Sequence, residues 1–390
     1  MQTVKLGDIG KIVTGSTPST KVPEYYGDEY LRVCPKDLDQ GIYVFDTEKK
    51  LSSMGFEKMK SKHIPAGSVM VGCIGNIGKC AIATEKTCTN QQINSIIPDE
   101  NKVYNKYLYF SIKFYEQLFQ TRSTSTVVSI LNKKSFSNLE IPLPDLSTQK
   151  AIADKLEKIE NLIEMKKQVI SKTDELTKSI FIDMFGDPYL NPKGWEIKRI
   201  KDLVTSVNYG TSKKAFEEKT QGSYEILRMN NITYSGNINL ESMKYINLDT
   251  EEEKRKYLLE KGDVLFNRTN SKELVGKTAV YDLDMPRAFA GYLIRIKVDK
   301  EKILPIFLST FLNSDYGKKV LFTMAKSIVG MANINAKEVQ SIKIYLPPLE
   351  LQQEFANKIQ QIEAKKQLHQ QSLEKLQELY SSQMQESFRF

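Results

Sequence analysis

The stretch Ile141-Pro-Leu-Pro-Asp-Leu-Ser-Thr-Gln149 decides how this chain is organised, because it returns as Ile344-Tyr-Leu-Pro-Pro-Leu-Glu-Leu-Gln352. The second copy lies 203 residues after the first, as positions 141 and 344 give. Other matches occur in the same order, some at slightly shorter offsets: Leu131-Asn132 with Ile334-Asn335, Gly67-Ser-Val69 with Gly262-Asp-Val264, and Gly78-Lys79 with Gly276-Lys277. An ordered set of matches of this kind is typical of an internal duplication. The pattern therefore predicts two similar halves.

A long helical pattern follows each copy. Pro144 precedes the first helix, and Gly186-Asp-Pro188 supplies a stop signal. Each helix is predicted to span roughly 35 to 40 residues, or about 55 Å. Apolar residues at steps of three and four predict a coiled-coil seam. We expect the two seams to pair as an antiparallel coiled coil, while the alternative is that each helix packs on its own domain. The seam residues are Leu156, Ile159, Ile163 and Ile170 in the first helix, and Ile359, Ile362, Leu373 and Leu376 in the second.

The segments before the helices predict two α+β domains. Short apolar runs such as Ser68–Val71, Ile93–Ile97, Asp263–Phe266 and Leu293–Val298 lie between turn residues, which is typical of a mainly antiparallel sheet. Helical stretches follow near 104–120 and 305–324. The predicted boundaries are 1–146 for the first domain, 147–188 for the central helix, 189–346 for the second domain and 347–390 for the C-terminal helix.

Composition narrows the class of protein without naming a function. The chain has 390 residues, 40% hydrophobic and 27% charged, with a formal net charge of +8. This mild surplus permits a polyanionic partner but does not demand one. The start lacks the apolar core of a secretory signal, and the apolar runs are too short to span a membrane. The four cysteines match no zinc spacing, so a cytoplasmic protein with reduced thiols and no metal site is expected.

Motifs for catalysis are missing from the sequence. Gly276-Lys-Thr278 resembles the end of a phosphate loop, but Ser271 stands where that loop requires glycine. Gly72, Gly75 and Gly78 do not fit the dinucleotide fingerprint. The Asn-Pro-Pro-aromatic and Asp-Pro-Pro-aromatic segments of DNA amino-methyltransferases are absent, and two histidines leave little material for a histidine-based triad. We therefore predict no catalytic residues.

Loops rich in hydrogen-bonding side chains occur at equivalent places in both halves. Arginine and lysine suit guanine edges or phosphates, and asparagine and glutamine suit adenine. Any one of these residues could equally be a turn former or a solvated loop tip, but the set favours DNA binding, with Arg228 and Arg268 as the preferred contacts. The predicted DNA-binding residues are Thr14, Ser16, Thr17, Tyr26, Arg32, Lys36, Asn76, Lys79 and Gln91 in the first half, and Tyr209, Thr211, Ser212, Lys213, Lys214, Arg228, Asn230, Asn267, Arg268, Asn270 and Lys272 in the second.

These features together resemble the specificity subunits of type I restriction–modification systems. The resemblance covers essentially the whole chain. The residues that carry it are Thr14–Pro18 with Glu24–Gly27, Asn267–Ser271 with Leu274–Thr278, and the Pro-x-Leu-x-x-Gln joints at Pro144–Gln149 and Pro347–Gln352. One departure is that Gly194-Trp195-Glu196 opens the second domain and has no counterpart in the first.

The resemblance implies a non-catalytic DNA-recognition subunit with two target-recognition domains. Each domain would read one half of a bipartite site in double-stranded DNA, and the helices would set the spacer and dock two methyltransferase subunits. A restriction and translocation subunit would complete the complex. S-adenosylmethionine, ATP and magnesium would belong to those partners, so no cofactor is expected in this chain.

Two other readings stay open on the residues alone. The chain could be a scaffold whose coiled coil is the functional part, which predicts protein binding without DNA affinity. It could also be an enzyme of unrecognised type, such as a nuclease, which predicts cleavage of DNA in the presence of magnesium. Binding to DNA that weakens steeply with salt would favour the recognition subunit over the scaffold.

Overall fold

The fold is described from a computed structural model of the chain. It describes residues 3–75, 77–122, 131–328 and 331–389, of which 117–122 and 327–328 are described as backbone only. The chain divides into two compact units, one of Met1–Lys167 with Gln371–Phe390 and the other of Gln168–Gln370. No helix in the described ranges has the length and apolar character that crossing a bilayer requires.

The first unit contains an α+β domain built around a five-stranded sheet of order β2-β10-β7-β8-β5. Three of its neighbouring pairs are antiparallel, and only β5 runs parallel to its neighbour β8. The elements in chain order are β1 Thr3–Lys5, α1 Leu6–Ile9, β2 Gly10–Thr14, β3 Tyr26–Gly27, β4 Tyr30–Val33, β5 Tyr43–Val44, β6 Lys50–Leu51, α2 Ser53–Lys58, β7 Val69–Gly72, β8 Cys80–Ala83, β9 Cys88–Thr89, β10 Ile93–Pro98, α3 Asn105–Arg122, α4 Lys133–Ser137, β11 Glu140–Pro142 and the first long helix, α5 Leu146–Phe185.

The second unit contains a domain with a similar but four-stranded central sheet, in the order β13-β20-β16-β18. All of its neighbouring pairs are antiparallel. The elements are β12 Glu196–Arg199, β13 Val204–Tyr209, β14 Tyr224–Leu227, β15 Lys244–Ile246, α6 Glu251–Tyr257, β16 Val264–Asn267, β17 Thr269–Asn270, β18 Thr278–Val280, β19 Ala288–Phe289, β20 Leu293–Val298, α7 Pro305–Asn313, α8 Asp315–Met324, β21 Lys326–Ile328, β22 Met331–Asn333, α9 Ala336–Ser341, β23 Lys343–Leu346 and the second long helix, α10 Leu349–Phe388.

The predicted fold class, two similar α+β domains with mainly antiparallel sheets and two long helices, is confirmed. The helical stretch predicted at 305–324 differs in one respect, because it is two helices broken at Ser314. The Oγ of Ser314 accepts a hydrogen bond from the backbone N–H of Gly317 at 3.1 Å. This serine starts a new helix as its N-cap, which is a favoured role for serine.

The duplication extends to single backbone hydrogen bonds. The N–H of Gly15 donates to the carbonyl of Ile93 at 3.1 Å, and that of Gly210 donates to Leu293 at 3.2 Å. Further matched pairs of donor and acceptor are Ser16 to Thr89 with Thr211 to Phe289, Asn90 to Val33 with Ala290 to Leu227, Cys73 to Gln92 with Arg268 to Tyr292, and Leu131 to Cys73 with Ile334 to Arg268. These pairs identify equivalent positions in the two domains even where loop lengths differ.

The repeated glutamine of the two joints ties each long helix to its domain. Gln149 and Gln352 are both fully buried. The Oε1 of Gln149 accepts from the N–H of Tyr104, and that of Gln352 accepts from the N–H of Leu304, both at 2.9 Å. Each Nε2 donates to two backbone carbonyls. Because a buried amide must satisfy its donors and acceptor, glutamine fits this position and an apolar residue of similar size does not.

Within the first unit, the C-terminal end of α10 belongs to the core of the first domain. Met384 and Phe388 are buried in the same cluster as Leu156 of α5. The ring centroid of Phe388 lies 5.3 Å from that of Tyr107 and 5.9 Å from that of Phe114. The alternative in which each helix packs only on its own domain is therefore wrong for this end of α10.

Within the second unit, the end of α5 belongs to the core of the second domain. The ring centroids of Phe181 and Phe185 lie 5.7 and 5.2 Å from that of Phe355 in α10. The Nζ of Lys366 bonds to the Oδ1 of Asp174 at 2.5 Å. Later residues of α5 thus contact earlier residues of α10, so the two helix segments in this unit run antiparallel.

Burial along the predicted seam is uneven. Leu156, Ile159, Ile163 and Ile359 are buried, while Ile170, Ile362, Leu373 and Leu376 are half-buried. Leu156 and Ile359 are buried in the cores of the first and second domains, and Ile362 packs against the second core. Ile159 and Ile163 are buried outside these core clusters.

Candidate nucleic-acid interface

In the first domain, Arg32 is the centre of a polar cluster. It lies on β4 with 5% of its surface exposed. Its Nη1 donates to the Oγ1 of Thr17 at 3.5 Å, and its Cζ lies 6.0 Å from the ring centroid of Tyr26. The Thr17 hydroxyl donates to the Oε1 of Gln91 at 2.7 Å. Four of the nine residues predicted in this domain are thus brought together around one guanidinium.

The other residues predicted in the first domain lie apart from this cluster. The hydroxyl of Thr14 donates to Asn94 at 2.7 Å, and Ser16 is half-buried beside Thr89, to which its backbone bonds. Lys36 is ion-paired with Glu48, and Lys79 is ion-paired with Asp39 at 2.6 Å. Asn76 lies outside the described residues.

In the second domain, Arg268 is held between an aromatic ring and an amide. Its Cζ lies 4.8 Å from the ring centroid of Tyr209, a distance at which a cation–π attraction contributes about 0.5–1 kcal/mol or more. Its Nη2 donates to the Oδ1 of Asn333 at 3.0 Å. The hydroxyl of Tyr209 accepts from the N–H of Ala336, which fixes the ring, and 42% of Tyr209 stays exposed. The guanidinium is therefore oriented in advance of any ligand.

Arg228 lies at the start of the 3-10 turn Met229–Asn231. Its Nη2 donates to the carbonyl of Ser242 at 2.5 Å, and its backbone N–H donates to the side chain of Asn231. Asn230, in the same turn, is exposed. The guanidinium of Arg228 is thus held by one backbone carbonyl, whereas that of Arg268 is held by side chains.

Two aromatic side chains of the second domain that sequence patterns did not predict lie beside lysines. The Nζ of Lys272 lies 4.4 Å from the ring centroid of Phe322, and the Nζ of Lys318 lies 5.4 Å from that of Tyr234. Both rings are about half exposed. Burial, together with the nearby positive charges of Lys277 and Lys178, lowers the pKa of Lys318 to about 8. Exposed rings interleaved with cations are typical of surfaces that bind nucleic acid.

Three of the residues predicted to bind DNA are buried, namely Arg32, Asn267 and Thr211. The side chains of the last two bond within their own domain, so DNA binding by them stays a prediction. Asn267 has no exposed surface, and its Nδ2 donates to the carbonyl of Met229 at 3.5 Å. Thr211 is 4% exposed, and its hydroxyl accepts from the N–H of Lys213 at 3.1 Å. A polar side chain in a loop can bond to the backbone of its own turn as readily as to a ligand, and the sequence does not distinguish the two roles.

The predicted cations differ in whether a carboxylate is ion-paired with them. Lys36, Lys79 and Lys213 are ion-paired, and Lys213 contacts two acids, Asp249 at 2.9 Å and Glu253 at 2.6 Å. No carboxylate in the described ranges lies within 4.0 Å of the guanidinium of Arg32, Arg228 or Arg268, and the Nε of each is buried without a hydrogen-bond partner. A guanidinium removed from water is costly unless acceptors meet its donors, so these arginines are the better candidates for an external acceptor.

The remaining predicted residues of the second domain are at its surface. Ser212 and Lys214 are exposed, and Asn270 is half-buried. The Oδ1 of Asn270 accepts from the N–H of Ser271 at 2.9 Å, which ties it to its own turn.

The segment Gly276–Thr278 is not a phosphate loop. Lys277 is 7% exposed, and its Nζ donates to the carbonyls of Met229 at 3.0 Å and Ile232 at 2.5 Å. Burial lowers the pKa of this lysine. A side chain that is occupied by two backbone carbonyls is not directed at a phosphate, which agrees with the missing glycine in the motif.

The four cysteines are free thiols. Burial raises the pKa of all four, that of Cys88 to about 12, so they are protonated and unreactive near neutral pH. Within the described ranges, no group of three or more His, Cys, Asp or Glu side chains is arranged to hold a metal ion.

Comparisons with curated proteins find specificity subunits of type I restriction enzymes. The MjaIX subunit of Methanocaldococcus jannaschii is 33% identical over 221 residues, which cover 51% of this chain and 50% of that protein. The HindI subunit of Haemophilus influenzae is 35% identical over 170 residues, 42% of this chain and 37% of that protein. These two matches thus span half or less of each relative. The MjaVIII subunit of M. jannaschii is 24% identical over 383 residues, 93% of this chain and 86% of that protein.

Solved structures share the fold. The S subunit of a type I restriction–modification system from M. genitalium superposes with a TM-score of 0.63 at 13% identity, covering 100% of this chain and 96% of that one. A chain from a study of complex assembly and conformational transition in the type I system gives 0.59 at 18% identity, covering 100% and 97%. The model of the family described as the type I restriction modification DNA specificity domain matches residues 1–173 and 192–378. With both halves matched, the chain belongs to the type I restriction–modification DNA specificity family.

Proposed function

We propose that this chain is the sequence-reading subunit of a type I restriction–modification complex, and that each domain reads one half of a bipartite site in double-stranded DNA. One observation carries the proposal. In both domains of a duplicated fold, arginines that have no carboxylate partner among the described residues lie among tyrosine, amide and hydroxyl groups, around Arg32 in one and Arg268 in the other. Arginines of this kind suit base edges and phosphates.

Two linked domains gain affinity together. Once one domain binds its half-site, the other half-site is at a high effective concentration, so binding becomes nearly intramolecular. In this proposal α5 and α10 set the unread gap between the half-sites. The chain itself performs no chemistry, and S-adenosylmethionine, ATP and magnesium act in partner subunits in the cytoplasm.

The experiment that tests this function is sequencing of methylated adenines in cells that carry the chain together with its co-purifying methyltransferase. We expect a split motif of two short defined halves around an undefined gap, which is absent from cells with the methyltransferase alone. Exchanging residues 1–146 for those of a relative should change one half of the motif and leave the other intact. An identical methylation pattern with and without the chain would contradict the proposed function.

We further propose that the outer face of α5 docks a methyltransferase subunit. Five large apolar side chains of this helix are between 39% and 54% exposed, and Ile182 is one of them. The other four are Leu162, Met165, Val169 and Leu176. Their steps of three, four and seven residues place them on one face of the helix. Exposed apolar residues that form a stripe, rather than occurring singly, mark a contact with another protein. An amphipathic helix of the partner is the occupant that this narrow stripe fits.

Replacing Met165 and Val169 together by glutamate should abolish co-purification of the methyltransferase, because two charges would have to be buried in the contact. The chain should stay folded, since both side chains are exposed. Lys167 and Ser171, exposed on another face of the same helix, provide a matched control when both are changed to glutamate. Equal recovery of the methyltransferase with both double variants, measured by co-purification, would show that the partner binds elsewhere.

A further inference from the structure

Equivalent positions in the two domains differ at the candidate site of the second domain. The backbone hydrogen bonds make Cys73 the counterpart of Arg268, because the N–H groups of these residues donate to the carbonyls of Gln92 and Tyr292 at 2.8 and 3.0 Å. Their own carbonyls accept from Leu131 and Ile334, at 3.0 and 2.9 Å. The two side chains therefore leave the same point of the same backbone frame.

The neighbours of this point also differ. Gly15 and Gly210 are equivalent through their bonds to Ile93 and Leu293, so Thr14 is the counterpart of Tyr209. In the second domain this pair of positions holds a guanidinium against an aromatic ring, 4.8 Å apart.

In the first domain the same pair of positions forms a closed neutral network. Thr14 donates to the Oδ1 of Asn94 at 2.7 Å, and the Nδ2 of Asn94 donates to the sulfur of Cys73 at 3.2 Å. Burial raises the pKa of Cys73, so its thiol carries no charge. Cys73 is 4% exposed and Asn94 is 3% exposed. The hydrogen-bonding groups of this network are occupied by one another, so few remain for a ligand.

From these contrasts we infer that Arg268 reads a guanine in the half-site of the second domain, with Tyr209 and Asn333 as positioning residues. This inference rests on the proposed function. At the equivalent point of the first domain, Cys73 supplies no base contact. The two domains therefore read their half-sites with different side-chain chemistry at this equivalent backbone position.

The fixed orientation of the guanidinium favours a base over a phosphate as the acceptor. An arginine can bind either through two parallel donors, but guanine O6 and N7 lie in one plane, whereas phosphate oxygens accept donors from several directions. The ring of Tyr209 fixes the plane of the guanidinium, and Asn333 takes one of its donors at 3.0 Å, which sets its rotation in that plane. Strand β22 pairs with β17 and places Asn333 opposite Thr269. Tyr292, whose carbonyl accepts from the backbone N–H of Arg268, is 53% exposed. The site therefore opens onto the surface.

The test is selection of bound sequences from a random DNA duplex library by the full chain with its methyltransferase, for wild type and for Arg268→Ala and Arg268→Lys. We expect wild type to select a split motif with a guanine in the second domain's half. Arg268→Ala should lose about 5- to 150-fold discrimination at that one guanine, the range measured for a good bidentate pair. Arg268→Lys should recover part of the loss, and the first half of the motif should not change.

Two further variants separate a reading role from a merely structural one. Tyr209→Leu should lower discrimination at the same guanine that Arg268→Ala affects. Tyr209→Phe, which keeps the ring, should retain that discrimination. Arg287→Lys is the matched control, because Arg287 is an arginine of the same domain that is ion-paired with Glu225 at 2.6 Å, and it should leave the motif unchanged.

The outcomes are distinct. A wild-type chain that selects no sequence would contradict the proposed function and this inference with it. A wild-type split motif that Arg268→Ala leaves unaltered in sequence, with binding weakened uniformly and the salt dependence reduced by about one charge, would assign Arg268 to a phosphate and overturn only the inference.

Discussion

Replacing Phe388 by alanine should destabilise the first domain by about 3–5 kcal/mol, although this residue lies more than 240 positions after that domain's last strand. The reason is that Phe388 has no exposed surface and packs against Tyr107 and Phe114 of α3. Its removal would leave a cavity among the largest side chains of this core. Chemical denaturation with hydrogen-exchange mass spectrometry would locate the loss.

The matched control is Phe45→Ala, because Phe45 is 71% exposed and its loss should cost less than about 0.5 kcal/mol. Exchange should rise in the first unit and stay unchanged in the domain of residues 189–346. Equal stability of the two variants would contradict the assignment of the end of α10 to the first domain's core.

Inserting one heptad into both long helices should lengthen the recognised gap by about three base pairs. Seven helical residues add about 10.5 Å, and one base pair occupies about 3.4 Å of duplex. Insertion after Lys167 and after Gln370 leaves the Asp174–Lys366 bond and the apolar contacts at the helix ends in phase, because seven residues are close to two turns. Methylated-adenine sequencing would measure the new spacing.

A heptad inserted in α5 alone is the control. It would shift the register of one helix against the other, and we expect it to abolish the methylation motif. A motif of unchanged spacing after the double insertion would show that the gap is not set by the helices.

Much of the fold could be predicted from local sequence patterns, such as helix stop signals and short apolar runs. Pro144 and Gly186 mark the ends of α5 in sequence, and the helix spans Leu146–Phe185 with Gly186 at a φ of +83°, a conformation that glycine adopts readily. The strand predicted at Leu293–Val298 is present with those bounds. Neither long helix end could be assigned to a core from sequence, because an apolar seam looks the same whichever surface covers it.

The candidate site depended more on contacts between distant residues. Arg268 and Asn333 are 65 positions apart, and Lys36, Lys79 and Lys213 were predicted as DNA contacts although each is ion-paired. Composition and spacing cannot tell a cation with a carboxylate neighbour from one without. The distinction comes from tertiary contacts alone.

The duplication, the α+β class, the two long helices and the absence of a phosphate-loop motif can all be inferred from the sequence alone, because they follow from local patterns and their repetition. The burial of Asn267, the lack of a carboxylate partner for Arg268 among the described residues, and the equivalence of Cys73 and Arg268 emerge from the folded structure. Burial and charge pairing are properties of the surroundings of a side chain. Those surroundings are assembled from strands and loops that lie far apart along the chain.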